Sequence, residues 1–266
     1  MSQAIYQIDA FTDRPFAGNP AAVCVLAEAR EASWMQHVAN EMNLSETAFV
    51  VRRDDGFDLR WFTPAAEVDL CGHATLASAH LLWEIDLLKP GQEAVFFTKS
   101  GRLTARQHGG RIVMDFPAEP DAETAPPDGL TAALGVAPRY VGRNRMDVLA
   151  LLESDEAVRT LHPDINLLAQ IDTRGVIVTA PSDDEGYDFV SRFFAPRYGI
   201  AEDPVTGSAH CCLGPFWHRQ WGKATLVGYQ ASARGGVVHV HTTGDRVLLG
   251  GHAFTVMRGA LVDFGR

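Results

Sequence analysis

Two groups of polar residues surround glycines that begin apolar, helix-like segments. The first glycine is Gly72 and the second is Gly207. The polar residues around them are Glu67, Asp69, Cys71, His73 and Thr75 in the first group, and Glu202, Asp203, Thr206, Ser208 and His210 in the second. A helix start presents unpaired N–H groups and the positive end of the helix dipole. Two such starts could hold a carboxylate or stabilise a developing enolate.

Three of these side chains suit proton transfer or binding, although each also has a simpler structural explanation. His73 can exchange a proton near neutral pH, but a histidine can equally be a hydrogen-bonded core residue. Asp203 precedes Pro204, a pair typical of turns, and Ser208 could do no more than cap a helix. Each glycine could likewise serve only to let a buried helix begin sharply. The residues alone leave both explanations open.

Glu46 is a further candidate because of its place between two predicted elements. A predicted helix ends near Asn43, and a predicted strand begins near Thr47. The next residues along this strand, Ala48 and Phe49, are apolar. Partial desolvation makes a carboxylate a stronger base, and a rigid strand would fix its position, so Glu46 could act as a general base. The alternative is a solvated loop glutamate.

Other catalytic motifs are missing from the sequence. It has no glycine-rich phosphate loop, no Gly-x-Ser-x-Gly elbow and no cysteine–histidine set with zinc spacing. Cys71-Gly72-His73 does not have the spacing of a zinc site. We therefore predict no metal and no cofactor.

Short runs of β-type composition make up most of both halves and are interrupted by helices. Ser33 is a candidate cap for an amphipathic helix, and nearly all-apolar helices follow Gly72 and Gly207. A Phe-rich strand and a run of acidic residues precede each of these glycines, which lie about half the chain apart. This recurrence predicts an α+β fold of two similar domains, each an antiparallel sheet around a central buried helix. A Pro-rich acidic linker puts the domains at residues 1–122 and 123–266, with a last strand that can cross back.

Composition and charge exclude several classes of protein. The chain has 266 residues and a net charge of −10, which disfavours nucleic acid and anionic membranes as partners but leaves small anionic substrates open. No apolar stretch is long enough to cross a membrane, and the first residues do not form a signal peptide. The four cysteines do not form a disulfide framework. We predict a cytoplasmic protein.

Several segments together resemble the PhzF-like isomerases of the phenazine-biosynthesis family. They are DAFT (9–12), FAGNPAAV (16–23), NLSETAF (43–49), RWFTP (60–64), DLCGHATL (69–76), EDPVTGSAH (202–210), GGVVHV (235–240) and GGHA (250–253). These segments keep their order from the first predicted strand to the last, which makes the resemblance specific. It implies a fold similar to diaminopimelate epimerase, with an active site in the cleft between two pseudo-symmetric domains, and a homodimer.

The resemblance also implies an activity and a set of site residues. The activity is cofactor-independent proton transfer on a small carboxylic acid, and one substrate of this type is trans-2,3-dihydro-3-hydroxyanthranilate. The family's catalytic residues match Glu46, His73, Asp203 and Ser208. Its substrate-binding residues match Gly72 and Gly207, and Asn19 lies in a matching segment and is a further candidate. On this interpretation Glu46 takes a proton from one carbon and returns it to another.

Two alternatives remain from the sequence. Cys71-Gly72-His73 also resembles a half-site of the proline racemases, which use two thiols, one from each domain. Here no cysteine directly precedes Gly207, since Cys211 and Cys212 follow it, and a two-thiol racemase is therefore disfavoured. The second alternative is a binding protein without catalytic activity on the same fold. The presence of all four polar positions argues against it.

Overall fold

Eighteen strands and six α-helices account for most of residues 2–262, the part of the chain that the computed structural model describes. The strands are β1 (Gln3–Ala10), β2 (Asn19–Leu26), β3 (Glu46–Arg53), β4 (Gly56–Phe62), β5 (Glu67–Val68), β6 (Ala94–Thr98), β7 (Gly101–His108), β8 (Arg111–Pro117), β9 (Ala122–Glu123), β10 (Tyr140–Arg143), β11 (Asp147–Leu151), β12 (Gly175–Pro181), β13 (Phe189–Ala195), β14 (Ile200–Asp203), β15 (Thr225–Gln230), β16 (Gly236–Thr243), β17 (Arg246–Gly251) and β18 (Ala253–Leu261). The helices are α1 (Ala32–Met42), α2 (Gly72–Glu84), α3 (Leu130–Leu134), α4 (Asp155–Arg159), α5 (Ile165–Leu168) and α6 (Gly207–Trp221).

The described chain divides into two units. Unit 1 runs through Asp115 and resumes at Gly250, and unit 2 is Phe116–Leu249. The boundaries thus fall inside β8 and β17, whereas the sequence predicted a boundary at 122/123 in the Pro-rich segment. That segment is not a structureless linker, because it contains β9 and leads into α3.

The same order of strand pairings occurs in each unit. In unit 1, β2 is parallel to β3, β3 is antiparallel to β4, β4 is parallel to β6, and β6 is antiparallel to β7. In unit 2, the corresponding series is β11, β12, β13, β15 and β16, with the same directions. The predicted α+β class and the duplication are confirmed. The sheets are mixed rather than antiparallel, because helix-containing segments connect the parallel pairs.

The central helix of unit 1 is α2, and it is buried on nearly every side. Leu76, Ala77, Ala79, Leu81 and Leu82 are all completely buried. The helix contacts β1, β2, β3 and β18. A helix without a polar face must be enclosed by protein, which explains the apolar run that follows Gly72 in the sequence.

The central helix of unit 2 is α6, which packs against β15 and β16. Gly214 allows this close packing, because a Cβ atom there would lie 2.7 Å from a methyl carbon of Val240. The helix ends at Gly222, which adopts the left-handed conformation common after helix ends (φ 66°).

Aromatic packing fixes the strand that begins at Glu46. Phe49 in β3 makes edge-to-face contacts with Phe62 and with Trp34 of α1, at ring-centroid distances of 5.6 and 5.9 Å. The helix α1 begins at Ala32 after Glu31, so Ser33 is a helical residue and not the predicted cap. Within the described residues, no helix is both long and apolar enough to cross a membrane.

Candidate active site

Glu46 and His73 form a largely buried carboxylate–imidazole pair in unit 1. Glu46 is the first residue of β3, and His73 is the second residue of α2. The Oε2 atom of Glu46 lies 3.1 Å from the Nε2 atom of His73, and their side chains are only 14% and 7% exposed. Neither atom has a well-aligned hydrogen-bond partner among the described residues. Buried polar atoms without such a partner are uncommon in proteins, and they mark the pair as a candidate functional site.

Cys71 contacts the other nitrogen of the same imidazole ring. Its sulfur lies 3.5 Å from the Nδ1 atom of His73. Burial raises the pKa of the Cys71 thiol to about 11, and the charge of Glu46 acts in the same direction. The thiol is therefore protonated near neutral pH, which makes Cys71 a poor nucleophile and a poor base as it stands.

His73 carries its proton despite its burial. Burial alone would lower the pKa of this imidazole, but Cys71 and the Glu46 carboxylate outweigh burial and hold the pKa well above its ordinary value. The imidazolium lies directly beside the Glu46 carboxylate, with 3.1 Å between Nε2 and Oε2. A charged carboxylate held at a fixed position is the form that a general base requires.

Glu46, Cys71 and His73 also offer one potential metal-ligating atom each, all within 4.8 Å of one another. This grouping was missed from the sequence because Glu46 is distant from the other two along the chain. The two nitrogens of the imidazole, however, face different partners. Nδ1 faces the Cys71 sulfur, and Nε2 faces the Glu46 carboxylate. A metal ion at either nitrogen would have to displace one of these contacts.

Asp203 and Thr206 are linked before the start of α6 in unit 2. The Thr206 hydroxyl donates to the Asp203 carboxylate over 2.5 Å. Gln230, which is completely buried, accepts from the Thr206 N–H and donates to the Asp203 carbonyl, both over 2.8 Å. Asp203 is thus held by a network that includes more than the Asp-Pro turn suggested by the sequence.

Ser208, the second residue of α6, belongs to a second polar network that the sequence did not predict. Arg174 donates from Nη2 to the Ser208 hydroxyl over 3.0 Å. The same guanidinium makes a two-pronged contact with Asp147, with Nε–Oδ1 and Nη2–Oδ2 distances of 2.8 and 2.5 Å. The side chain of Asp147 is completely buried. The only sequence signal for this network was an aspartate beside an otherwise apolar strand.

The three residues predicted to bind substrate through the backbone or an amide lie at starts of elements. Gly72 and Gly207 are the first residues of α2 and α6. Asn19 is buried at the start of β2, two residues before Ala21, the register partner of Glu46. Residues two apart on a strand share a face, so Asn19 and Ala21 do so. The structure brings Glu46 and His73 into contact.

Known proteins match the chain over nearly its whole length. The family of phenazine biosynthesis-like proteins matches residues 8–259. An uncharacterised isomerase of Halalkalibacterium halodurans is 55% identical over 263 residues, which cover 98% of this chain and 99% of the relative. An uncharacterised isomerase of Pseudomonas aeruginosa is 48% identical, with the same coverage of both chains.

A solved structure agrees with these sequence matches. The crystal structure of a PhzF-family protein from Enterococcus faecalis gives a TM-score of 0.94 at 40% identity and covers 98% of this chain and 100% of that one. Together with the paired helix starts, the matches define the chain as an isomerase. More specifically, it belongs to the phenazine biosynthesis-like, or PhzF, family.

Proposed function

We propose that the protein isomerises a small carboxylic acid by moving a proton between two of its carbons, without a cofactor. The observation that carries this proposal is the largely buried contact of 3.1 Å between Glu46 Oε2 and His73 Nε2, two atoms that have no well-aligned partner among the described residues. Such a pair can exchange a proton with a bound molecule without reorganising the surrounding core.

Glu46 is the group that moves the proton. Its carboxylate accepts the proton from the first carbon, and the electron pair of that C–H bond moves into the substrate's unsaturated system. The resulting anion then takes the same proton back from Glu46 at the second carbon. The reaction is balanced, because the substrate and product have the same composition and the enzyme returns to its initial state.

His73 keeps Glu46 ready to accept a proton. The raised pKa of His73 means that the imidazole is positively charged near neutral pH, next to the Glu46 carboxylate. When Glu46 is protonated, the imidazolium loses its counter-charge. It can then stabilise negative charge on the substrate instead.

The remaining predicted residues have supporting roles in this proposal. Asp203 and Ser208 assist charge movement and hold the substrate, as the family resemblance implies. The N–H groups of Gly72 and Gly207 are donors for an anionic group, and Asn19 is a further binding residue. A cyclic amino acid such as trans-2,3-dihydro-3-hydroxyanthranilate is one substrate of suitable chemistry. A homodimer in the cytoplasm also stays a prediction.

The test follows solvent deuterium entering carbon positions of a panel of unsaturated, hydroxylated and amino carboxylic acids, including trans-2,3-dihydro-3-hydroxyanthranilate. In Glu46→Gln, turnover and deuterium incorporation should fall at least ~100-fold, the lower end for losing a general base. The matched control is Glu41→Gln, an exposed glutamate of α1, which should react at the wild-type rate. Deuterium incorporation at the wild-type rate in Glu46→Gln would assign the base elsewhere.

A second candidate mechanism uses the thiol of Cys71 as the base of a racemase or epimerase. It is favoured by the contact of 3.5 Å between its sulfur and His73, and disfavoured by the raised pKa of the thiol. The same experiment separates the two mechanisms. Loss of exchange in Cys71→Ser, together with retained exchange in Glu46→Gln, would favour the thiol.

A further inference from the structure

Arg174 is a partly exposed cation that lies beside the predicted site residue Ser208. Its guanidinium is fixed on one edge by the completely buried Asp147 carboxylate, through Nε and Nη2. The Phe193 ring lies 5.6 Å from the guanidinium carbon. Burying an aspartate costs free energy, and the pairing only partly compensates for it. Such a pair is a positioning device more than a source of stability.

The backbone around Arg174 contributes to this positioning. Gly175, the next residue, leaves room for Phe193, because a Cβ atom there would lie 2.2 Å from the ring. The Arg174 N–H donates to the Met146 carbonyl over 2.9 Å. The Asp147 N–H donates to the Asn144 side chain over 2.7 Å. Both halves of the ion pair are therefore attached to ordered backbone.

This arrangement leaves donors available on the exposed edge. Arg174 uses Nε and Nη2 for Asp147 and Nη2 for Ser208, so both N–H groups of Nη1 have no partner among the described residues. Ser208 accepts from Arg174, and among those same residues its own O–H has no acceptor. The side chain of Arg174 is 31% exposed, so these donors can reach a ligand.

We propose that Arg174, acting with Ser208, binds the carboxylate of the substrate and makes the enzyme selective for acids. One carboxylate oxygen accepts from the Ser208 hydroxyl, and the carboxylate also accepts from Nη1 of Arg174. Charge-assisted hydrogen bonds of this kind are stronger than neutral ones. The inference rests on the proposed function in one respect, since it takes the bound acid to be the substrate.

The fixed geometry favours a carboxylate over a phosphate dianion. Asp147 already compensates the charge of Arg174, which keeps the local net charge near zero. A single carboxylate therefore meets directed donors and little excess charge, whereas a phosphate dianion would gain little from the site. Phosphate binding is accordingly an outcome that the experiment must distinguish.

The experiment measures binding and needs no turnover. Anthranilate is a suitable probe because it is a cyclic amino acid that cannot undergo the proposed isomerisation, and aniline is the same molecule without the carboxylate. Calorimetry on the full-length protein should show anthranilate binding more tightly than aniline. In Arg174→Gln, the affinity for anthranilate should fall about tenfold to a hundredfold, the range for losing a charged hydrogen bond. The affinity for aniline should not change.

Three further variants separate this result from simple loss of charge. Arg219 is also paired with a completely buried aspartate, Asp121, in the same unit, so Arg219→Gln makes the same chemical change away from Ser208. It should bind anthranilate as the wild type does. Arg174→Lys keeps the charge but cannot make the two-pronged contact, and it should show most of the loss. Ser208→Ala, which removes no charge, should weaken binding severalfold and covers the case in which Arg174→Gln does not fold.

Several results would overturn the inference. They are unchanged anthranilate affinity in Arg174→Gln and Ser208→Ala, equal binding of aniline and anthranilate, or tighter binding of inorganic phosphate than of anthranilate. Glu46→Gln should bind anthranilate with wild-type affinity. If it does and deuterium exchange is nevertheless unaffected by that substitution, the proposed base is wrong while the carboxylate site stands.

Discussion

The starts of α2 and α6 have a similar backbone arrangement but different polar side chains. Each helix begins with a glycine after a residue in extended conformation whose side chain does not cap the helix. In each, a side chain in the first turn donates to the carbonyl of that preceding residue. Thr75 donates to Cys71 over 2.6 Å, and Nδ1 of His210 donates to Thr206 over 2.8 Å.

The difference lies at the second residue of each helix. His73 of α2 contacts a carboxylate, Glu46, at the start of β3. Ser208 of α6 contacts a guanidinium, Arg174, directly before β12, and β12 occupies the place of β3 in the repeated pairing order. A carboxylate beside an imidazole can move a proton, whereas a guanidinium cannot lose one in a protein. The comparison therefore places the proposed base in unit 1 and the proposed carboxylate-binding pair in unit 2.

The largest expected difference in stability between the two units comes from replacing one carboxylate in each by an amide. The carboxylates are those of Glu46 in unit 1 and Asp147 in unit 2. Asp147→Asn should lower the free energy of unfolding by about 3 kcal/mol, because Arg174 stays charged and loses its counter-charge in a partly buried place. Glu46→Gln should cost about 1 kcal/mol or less, because His73 can release its proton and leave no unpaired charge. Urea unfolding at pH 7 measures both. A larger loss in Glu46→Gln than in Asp147→Asn would contradict the comparison.

The pKa values of two buried histidines, His73 and His210, should be shifted in opposite directions. The pKa of His73 is held well above its ordinary value by Cys71 and Glu46, against burial. Burial lowers the pKa of His210 to about 4. In NMR titrations of the imidazole rings, His73 should therefore remain charged at pH 7 while His210 is neutral. Glu46→Gln should lower the pKa of His73 and leave that of His210 unchanged.

These shifts predict opposite effects of pH on stability. His73 binds its proton more tightly in the folded state, so its contribution is complete below about pH 6.5 and is lost as pH rises through its raised pKa. His210 binds its proton less tightly when folded. Its contribution is complete above about pH 6.5 and falls by up to about 1.4 kcal/mol per pH unit on acidification to about pH 4. Urea unfolding of the wild type, His73→Gln and His210→Gln between about pH 4 and pH 9 tests this, because the difference in unfolding free energy between the wild type and each variant should follow the corresponding trend. Differences that change with pH in the same direction for both variants would contradict it.

Sequence patterns predicted the repeated elements well because those elements are encoded locally. The apolar runs after Gly72 and Gly207 predicted α2 and α6, and the residues around Glu46 predicted the start of β3. The prediction of antiparallel sheets was wrong, because the direction in which strands pair depends on which distant segments of the chain meet. The residue type of Ser33 favours a helix cap, but the helix begins one residue earlier, at Ala32, and Ser33 lies inside it.

The candidate site was predicted only in part for the same reason. Glu46 and His73 were both named from the sequence, but their contact joins segments that are separated along the chain. No sequence pattern indicated a functional role for Arg174, because an arginine directly before an apolar strand is typical of a surface residue. It becomes a candidate only because β11 and β12 are parallel neighbours and Asp147 is paired in register with Gly175.

A smaller effect is expected from Cys71, which adjusts His73 without moving a proton on the substrate. Cys71→Ala removes the sulfur at 3.5 Å from Nδ1, so it should lower the pKa of His73 and shift the upper limb of the pH–rate profile downward. Turnover at pH 7 should stay within about tenfold of the wild type, well above that of a variant lacking its general base. Cys71→Ser keeps a polar partner and should restore part of the shift.

The control for this variant is Cys24→Ala, since Cys24 is a buried cysteine of β2 in the same unit and lies in a hydrophobic cluster. It should leave the pH–rate profile unchanged even if it lowers stability. Loss of turnover in Cys71→Ala, with an unchanged unfolding curve, would move the proton-transfer role from Glu46 to the thiol.

The smallest effect is expected from metal chelation, although unit 1 brings three potential ligands within 4.8 Å of one another. Zinc would need a deprotonated thiol, and the pKa of Cys71 is raised to about 11. It would also need a neutral His73, and each imidazole nitrogen already faces one of the other two groups. Dialysis against a chelator should therefore leave turnover, anthranilate affinity and the unfolding curve unchanged. A loss of activity that zinc restores in the wild type and cannot restore in Cys71→Ala would show instead that these three residues form a metal centre, and Glu46 would then be a ligand rather than the base.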